Sequence, residues 1–294
     1  MSDVMVITHG GCSDGFACAW LFNKAFPDAE IVHANHGTEP PDVTGKAVYL
    51  TDFSYKRPAM RKILSQARKV VVLDHHASAE KELAGIVDEY VLRPDMIANP
   101  PGSELPVIHF DMAKSGARLA WEHLYSNRLF PDEWLATNRS GYSLGVPPWL
   151  VEYTEDRDLW RFALPCSREV NASLRSFPME FAVWDCLLLR QPHHLAIEGE
   201  AILRRERQIV DAHVGFAREA EIGGHKVLAV NATVMHSEIA GELAKGKPFG
   251  AAYFIRADGR KVWSVRADEN GIDVSELARR FGGGGHVKAA GWEE

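Results

Sequence analysis

Val70–Val71–Val72–Leu73–Asp74–His75–His76 is the stretch on which the reading of the whole chain turns. Four consecutive apolar residues, three of them β-branched, have the composition of a strand buried on both faces, the condition of a strand inside a parallel sheet covered by helices. Towards the N-terminus, the basic stretch Arg57 to Arg68 reads as a helix, and Ala47–Val48–Tyr49–Leu50 as another strand running into Asp52. Val4 to Thr8 likewise runs into His9 and a glycine-containing turn, and Phe16 to Phe26 reads as a helix with Ala, Trp and Leu recurring on one face. Strands that alternate with helices pair in parallel, so the expected class is α/β with a parallel sheet.

Beyond the proline-rich Pro101 to Pro106, an apolar segment covers Val107 to Phe110, a helix is expected over Ser115 to Leu124, and a helix-rich region extends to about Arg190. Pro192 to Glu219 reads as one long helix. The remainder has a different texture, with a strand near Val227 to Val230, a helix over Ser237 to Lys245, a hairpin turning at Asp258–Gly259, and a helix over Val274 to Phe281 that leads into Gly282–Gly283–Gly284–Gly285–His286. The expected organisation is a domain over 1–190, a linker helix over 191–218, and a smaller α/β domain over 219–294. A chain of 294 residues is long enough for two domains.

Composition narrows the partners. With 33 basic and 40 acidic residues the formal charge is −7, which disfavours a long duplex held by counterion release and leaves room for a small phosphorylated substrate. Four cysteines form no CxxC pair, the opening Met-Ser-Asp lacks the basic and apolar regions of a signal peptide, and no apolar run approaches the ~20 residues of a membrane span. A cytoplasmic protein with no membrane partner is expected.

His9, Cys12, Asp14, Asp52, Asp74, His75 and His76 all follow apolar strands, and Asp156 follows the apolar-rich Trp149 to Tyr153. Ligands of an open parallel sheet bind beyond the carboxyl ends of its strands, which is where these residues fall. A single one of them could be a cap or a hydrogen-bonded structural residue, and Asp14 could be only an N-cap. Their convergence on three successive strand ends points instead to a metal site. Imidazole with carboxylate suits Mn²⁺ and similar ions, with Mg²⁺ or Co²⁺ as alternatives. Two ions suit phosphoryl chemistry, a bridging carboxylate setting them ~3.5–4 Å apart, and Asp52 is the candidate bridge.

Asp74–His75–His76 after a Val-rich strand, together with the Gly282–Gly285 run and His286, resembles the DHH/DHHA1 phosphoesterases over nearly the whole chain. That family includes RecJ-type exonucleases, nano-RNases and cyclic-dinucleotide phosphodiesterases. The resemblance implies a larger catalytic domain and a smaller substrate-clamping one with a cleft between them. It makes His9 and Cys12 ligands of one ion, Asp14, His75 and Asp156 ligands of the other, and Asp52 the bridge. His76 would contact the scissile phosphate and Asp74 would orient its neighbours. The first motif departs from the family pattern, being one residue shorter, with Cys12 where a carboxylate is common; a thiolate there would favour a softer ion.

In the second domain, the backbone of Gly283, Gly284 and Gly285 could form an anion-binding nest beside His286. Ser264 and Arg266 alternate on the hairpin strand and so share a face, and in the family the matching Arg contacts a terminal phosphate. Ser115 resembles a family segment near the catalytic cleft, with an N-cap as the alternative. Glu155, Arg157 and Asp158 are expected to be exposed or salt-bridged, and His193–His194 to be surface residues. The expected activity is hydrolysis of short linear oligonucleotides or dinucleotides to nucleoside monophosphates, and a homodimer is an admissible assembly. The rival readings are a phosphomonoesterase or polyphosphate-type phosphohydrolase, and a nucleotide-binding sensor with weakened catalysis.

Overall fold

The computed structural model describes residues 2–35, 37–92, 104–137 and 146–294. Parts of the expected proline-rich connection and helix-rich region, 93–103 and 138–145, lie outside the described residues. Contacts divide the chain into two units, Met1–Glu200 and Ala201–Glu294.

The first unit is built on strands β1 (Val4–His9), β2 (Glu30–Ala34), β3 (Ala47–Thr51), β4 (Lys69–Asp74) and β5 (Val107–Phe110), all parallel, in the order β2-β1-β3-β4-β5. Helices α1 (Ser13–Ala25), α2 (Arg57–Gln66), α3 (Ala77–Leu83), α4 (Ile86–Leu92), α5 (Gly116–Ser126), α6 (Asp132–Thr137), α7 (Trp149–Asp158), α8 (Ser167–Ser176) and α9 (Phe181–Leu188) complete it. Alternate strand residues feed opposite faces. Val6, Tyr49, Val71 and Leu73 join a core with residues of α1, α5 and α7, whereas Met5, Ile7, Val48, Leu50, Val70 and Val72 join a second core with Met60, Ile63 and Leu64 of α2. Burial on both faces is why these strands read as unbroken apolar runs. The expected strands and the helices between them are present, and β2 adds an edge strand of which only Ala34 is buried.

The strand order reverses at β1, which has β2 on one side and β3 on the other. Crossovers leave in opposite directions from such a point and open a crevice at the carboxyl ends. His9 closes β1 and Asp52 follows β3, so the two flank that crevice.

The boundary between the units falls inside α10 (Pro192–Val214), which stops short of the expected Glu219. Gly215 follows its last turn, and Arg218 and Glu219 belong instead to strand β6 (Arg218–Ile222). The second unit continues with β7 (His225–Asn231), α11 (His236–Ala244), β8 (Gly250–Ile255), β9 (Lys261–Arg266), α12 (Val274–Arg280), β10 (Gly284–His286) and β11 (Ala289–Glu293). Its sheet runs β10-β11-β9-β8-β7-β6, with β7 and β8 parallel and the other pairs antiparallel. The hairpin β8–β9 turns through Gly259, at φ +87°, as expected. Among the described residues, no helix is long and apolar enough to cross a membrane.

Leu50 is wholly buried in the central strand β3. Leu50→Ala is expected to cost about 2–5 kcal/mol of stability, read as a lower urea midpoint with unchanged slope; a loss below about 1 kcal/mol would contradict this placement of the core.

Candidate metal centre

Cys12 is the N-cap of α1, its Sγ accepting from the Gly15 amide at 3.3 Å. The same sulfur lies 3.3 Å from His9 Nδ1 and 3.3 Å from Asp52 Oδ2, and His9 Nδ1 lies 3.9 Å from that oxygen. Asp52 thus directs Oδ2 at His9 and Cys12. Its other oxygen, Oδ1, is 3.1 Å from His75 Nε2. Around that nitrogen stand Asp14 Oδ2 at 3.8 Å and Asp158 Oδ2 at 3.6 Å. The result is three overlapping sets of donor atoms, each within 4.8 Å: His9, Cys12 and Asp52; Asp52, His75 and His76; and Asp14, His75 and Asp158.

Local structure explains how these groups are held. Asp52 adopts φ +54°, a left-handed conformation that few non-glycine residues take and that Asp tolerates better than most. Its amide still donates to Leu73 O at 3.0 Å, so the residue remains tied to β4. Asp14, in the first turn of α1, is buried, and its two oxygens accept from the first amides of α5, Gly116 N at 2.7 Å and Ala117 N at 3.0 Å. The positive end of α5 therefore faces a carboxylate. A Cβ on Gly116 would lie 2.4 Å from Asp52 Cβ and 2.9 Å from Asp14 Oδ2, so α5 can begin against both acids only at a glycine.

Asp74 ends β4 with no exposed surface and accepts from Ser54 Oγ at 2.6 Å, from His75 N at 2.7 Å and from His76 Nδ1 at 2.7 Å. Burial pushes its carboxyl up, but the bonds from His76, Ser54 and the His75 amide outweigh that and hold it down at about 2. An ionised Asp74 can only accept, so His76 carries its proton on Nδ1 and turns Nε2 outward from the pair.

Three carboxylates converge on one histidine nitrogen here. Burial, then Asp52 and Asp158, push the Asp14 carboxyl well up; burial and then Asp52 push Asp158 up to about 6. Burial alone would lower His75, yet its hydrogen bond to Asp52 and the charges of Asp14 and Asp158 raise it to about 10. The Cys12 thiol is pushed up by burial and by Asp52 and Asp14. Divalent cations would balance the negative charge that Asp14, Asp52 and Asp158 bring around one histidine nitrogen. Imidazole, carboxylate and one thiol are a donor set that fits such ions.

Of the expected ligands, His9, Cys12, Asp14, Asp52 and His75 come together and Asp156 does not. Asp156 is buried, its oxygens accepting from Ala163 N at 2.9 Å and Leu164 N at 3.2 Å, so it fastens the loop after α7. Asp158 is exposed and paired, as expected, and its partner is His75, at 3.6 Å, so it is the α7 carboxylate that reaches the site. Two helical positions turn a side chain by about 200°, so the two cannot serve one site. Glu155 is buried and pairs with Arg118 at 2.8 Å. Ser115 is also fully buried and caps α5, its Oγ accepting from Arg118 N at 3.2 Å, which leaves it unavailable to a substrate. Among the described residues, His193 and His194 meet with their ring centroids 4.0 Å apart at a tilt of 53° and join no donor cluster.

In the second unit Arg266 Nη1 lies 3.4 Å from Ser264 Oγ, and Nη2 donates to Ser237 Oγ at 2.5 Å, a residue the sequence did not single out. Arg266 pairs with Ala289 and Ala289 with His286, so the three form one row across β9, β11 and β10 and share a face. The glycine run is not the expected nest. Gly282 N donates to Arg279 O and Gly283 N to Ala278 O, the paired bonds of a Schellman cap that ends α12. A Cβ on Gly283 would lie 2.1 Å from Gly291 O, so this glycine permits close packing on β11. Gly284, by contrast, faces open space and pairs with Gly291 in the row beside His286.

Residues 224–293 match the model of the DHHA1 domain. The chain is 26% identical to the uncharacterized protein R106 of Acanthamoeba polyphaga mimivirus over 314 aligned residues, covering 98% of this chain and 66% of that one. It is 40% identical to oligoribonuclease NrnB of Bacillus subtilis (strain 168) over 88 residues, 30% of this chain and 20% of that one. The chain thus spans about two thirds of the first relative and a fifth of the second. Among solved structures, the pGpG-specific phosphodiesterase PggH of Vibrio cholerae is similar at 17% identity and a TM-score of 0.44, over 99% of this chain and 92% of that one.

Asp158→Asn is expected to weaken Mn²⁺ binding by more than about tenfold in calorimetric titration with little change in melting temperature. Asp156→Asn should do the opposite, lowering the melting temperature and leaving affinity within a few-fold. Equal affinity loss in both would contradict the assignment. Mn²⁺ at about a hundred times its Kd should stabilise the wild type by about 2.7 kcal/mol for each position filled, and Asp52→Ala should abolish that gain.

Proposed function

We propose that this chain, a member of the DHH/DHHA1 phosphoesterases, is a two-metal phosphodiesterase that cuts short linear oligonucleotides or dinucleotides into nucleoside monophosphates. The observation that carries the reading is Asp52, whose Oδ2 faces His9 and Cys12 and whose Oδ1 faces His75 Nε2, the nitrogen that Asp14 and Asp158 also approach. Mn²⁺ is the proposed ion at both positions when supplied in excess. Two bound cations would supply Lewis-acid polarisation of the phosphate and a nucleophilic water at neutral pH.

The residues do the rest. Asp14, anchored by two α5 amides, and Asp74, anchored by four donors, cannot swing away from the reacting centre. The Asp74 bond and charge raise His76 towards its charged form against the opposing pull of burial. His76, its Nδ1 held by Asp74 and its Nε2 outward, is suited to hold a non-bridging oxygen of the scissile phosphate. Hydrolysis adds water across the P–O bond and releases a 5′-nucleotide and a shortened chain. The mild negative charge of the whole protein, −7, favours short substrates over long ones.

The second unit supports recognition of a phosphorylated end. Arg266 and His286 stand two strands apart on one face, roughly 10 Å, with Ala289 between them and Ser264 beside Arg266. Small residues between two cationic or polar ones leave room for a phosphate, and the open Gly284 adds to that floor. The likeness to an oligoribonuclease agrees with this reading.

Metal-stripped protein restored with Mn²⁺ is expected to release mononucleotides from 5′-phosphorylated dinucleotides faster than from longer RNA, with Asp52→Ala inactive. Release from 3′,5′-bisphosphonucleoside or polyphosphate alone would overturn the phosphodiesterase reading. Arg266→Ala should raise KM about tenfold or more with kcat within a few-fold; a loss confined to kcat would remove Arg266 from substrate binding.

A further inference from the structure

The two donor sets that share Asp52 are chemically unlike. One is centred on His75 Nε2, which the carboxylates Asp14, Asp52 and Asp158 approach at 3.8, 3.1 and 3.6 Å, a harder set without sulfur. The other holds His9, Asp52 and the sulfur of Cys12. We propose that Cys12 binds the first-motif cation as a thiolate, so that this position selects a soft ion such as Zn²⁺, Co²⁺ or Fe²⁺ while its neighbour takes a hard one, and the centre is mixed-metal by design. The inference rests on the two-cation reading of the site and specifies what each position accepts.

Distances carry the argument. A tetrahedral ion with sulfur at about 2.3 Å and nitrogen or oxygen at about 2.0–2.2 Å sets neighbouring donor atoms roughly 3.4–3.6 Å apart. Sγ to His9 Nδ1 and Sγ to Asp52 Oδ2, both 3.3 Å, fall within about 0.3 Å of those edges, and His9 Nδ1 to Asp52 Oδ2, at 3.9 Å, is about half an ångström longer. Three protein donors leave a fourth position open, the pattern of reactive rather than structural sites. His9 keeps 30% of its side chain exposed, so that open side can be reached from solvent.

A helix cap alone does not account for the sulfur. Ser, Asp or Asn would cap α1 better than Cys, since a sulfur is a weak acceptor and the bond to Gly15 N is 3.3 Å long. What Cys uniquely brings between an imidazole and a carboxylate is a soft anionic ligand. Binding is balanced as thiol plus cation giving the thiolate complex and one proton released to solvent; no electron moves. Mn²⁺ in excess still fills both positions, more weakly at the sulfur.

The test is Co²⁺ titration of the full-length, metal-stripped chain, read by absorption. A sulfur-to-cobalt charge-transfer band in the near ultraviolet is expected in the wild type and lost in Cys12→Ser, which keeps a good cap and leaves Cys18, Cys166 and Cys186 in place as internal controls. In competition, Cys12→Ser should lose at least about tenfold in Co²⁺ affinity at one position and retain the other. Cys12→Asp should lose the band and gain Mg²⁺ uptake. Absence of the band in the wild type, or its persistence in Cys12→Ser, would overturn the proposal. Neither outcome depends on turnover, so a failure here is distinguishable from a failure of the phosphodiesterase reading.

Discussion

Like charges packed at close range in a poorly solvated space govern this molecule. Asp14, Asp52 and Asp158 all approach His75, and two of them are almost wholly buried. An arrangement of this kind is costly unless something positive enters it. The fold spends several devices on keeping it in place: the left-handed turn at Asp52, the bare Gly116, the α5 amides on Asp14, and the four donors on Asp74. None of these improves the packing of the core, and all of them hold ligand atoms at fixed separations.

The parallel sheet explains why the acids can meet. Each comes from a different segment, and only the carboxyl edge of β1, β3 and β4, with the starts of α1 and α5 and the end of α7, brings those segments to one crevice. Two apolar cores, one on each face, make the strands rigid while their ends stay polar. The second unit carries a polar row of its own. Its sheet lays Arg266, Ala289 and His286 in a row, an array suited to holding an anion.

Much of this was legible in the sequence because the decisive strands are covered on both sides. Val70 to Leu73 and Ala47 to Leu50 are unbroken apolar runs for that reason, and the polar residues after them had to fall at the sheet's edge. β2 was missed because an edge strand with one buried residue lacks the signal. Asp156 and Asp158 could not be told apart, since Glu155, Asp156 and Asp158 follow one another on a helix whose facing is set by tertiary packing. The long helix was extended past Val214 because Arg218 and Glu219 suit a helix as well as a strand; Gly215 was the available warning. The glycine run carried two meanings at once, a helix cap at Gly282 and Gly283 and an open strand at Gly284, and composition cannot separate them.

Equilibrium dialysis of the wild type and Asp52→Ala against Co²⁺, with bound metal counted per chain, tests the shared carboxylate most directly. The account predicts two tightly held ions in the wild type and the loss of tight binding at both positions in the variant, because one side chain serves each. A single ion in the wild type, or two that survive removal of Asp52, would contradict it.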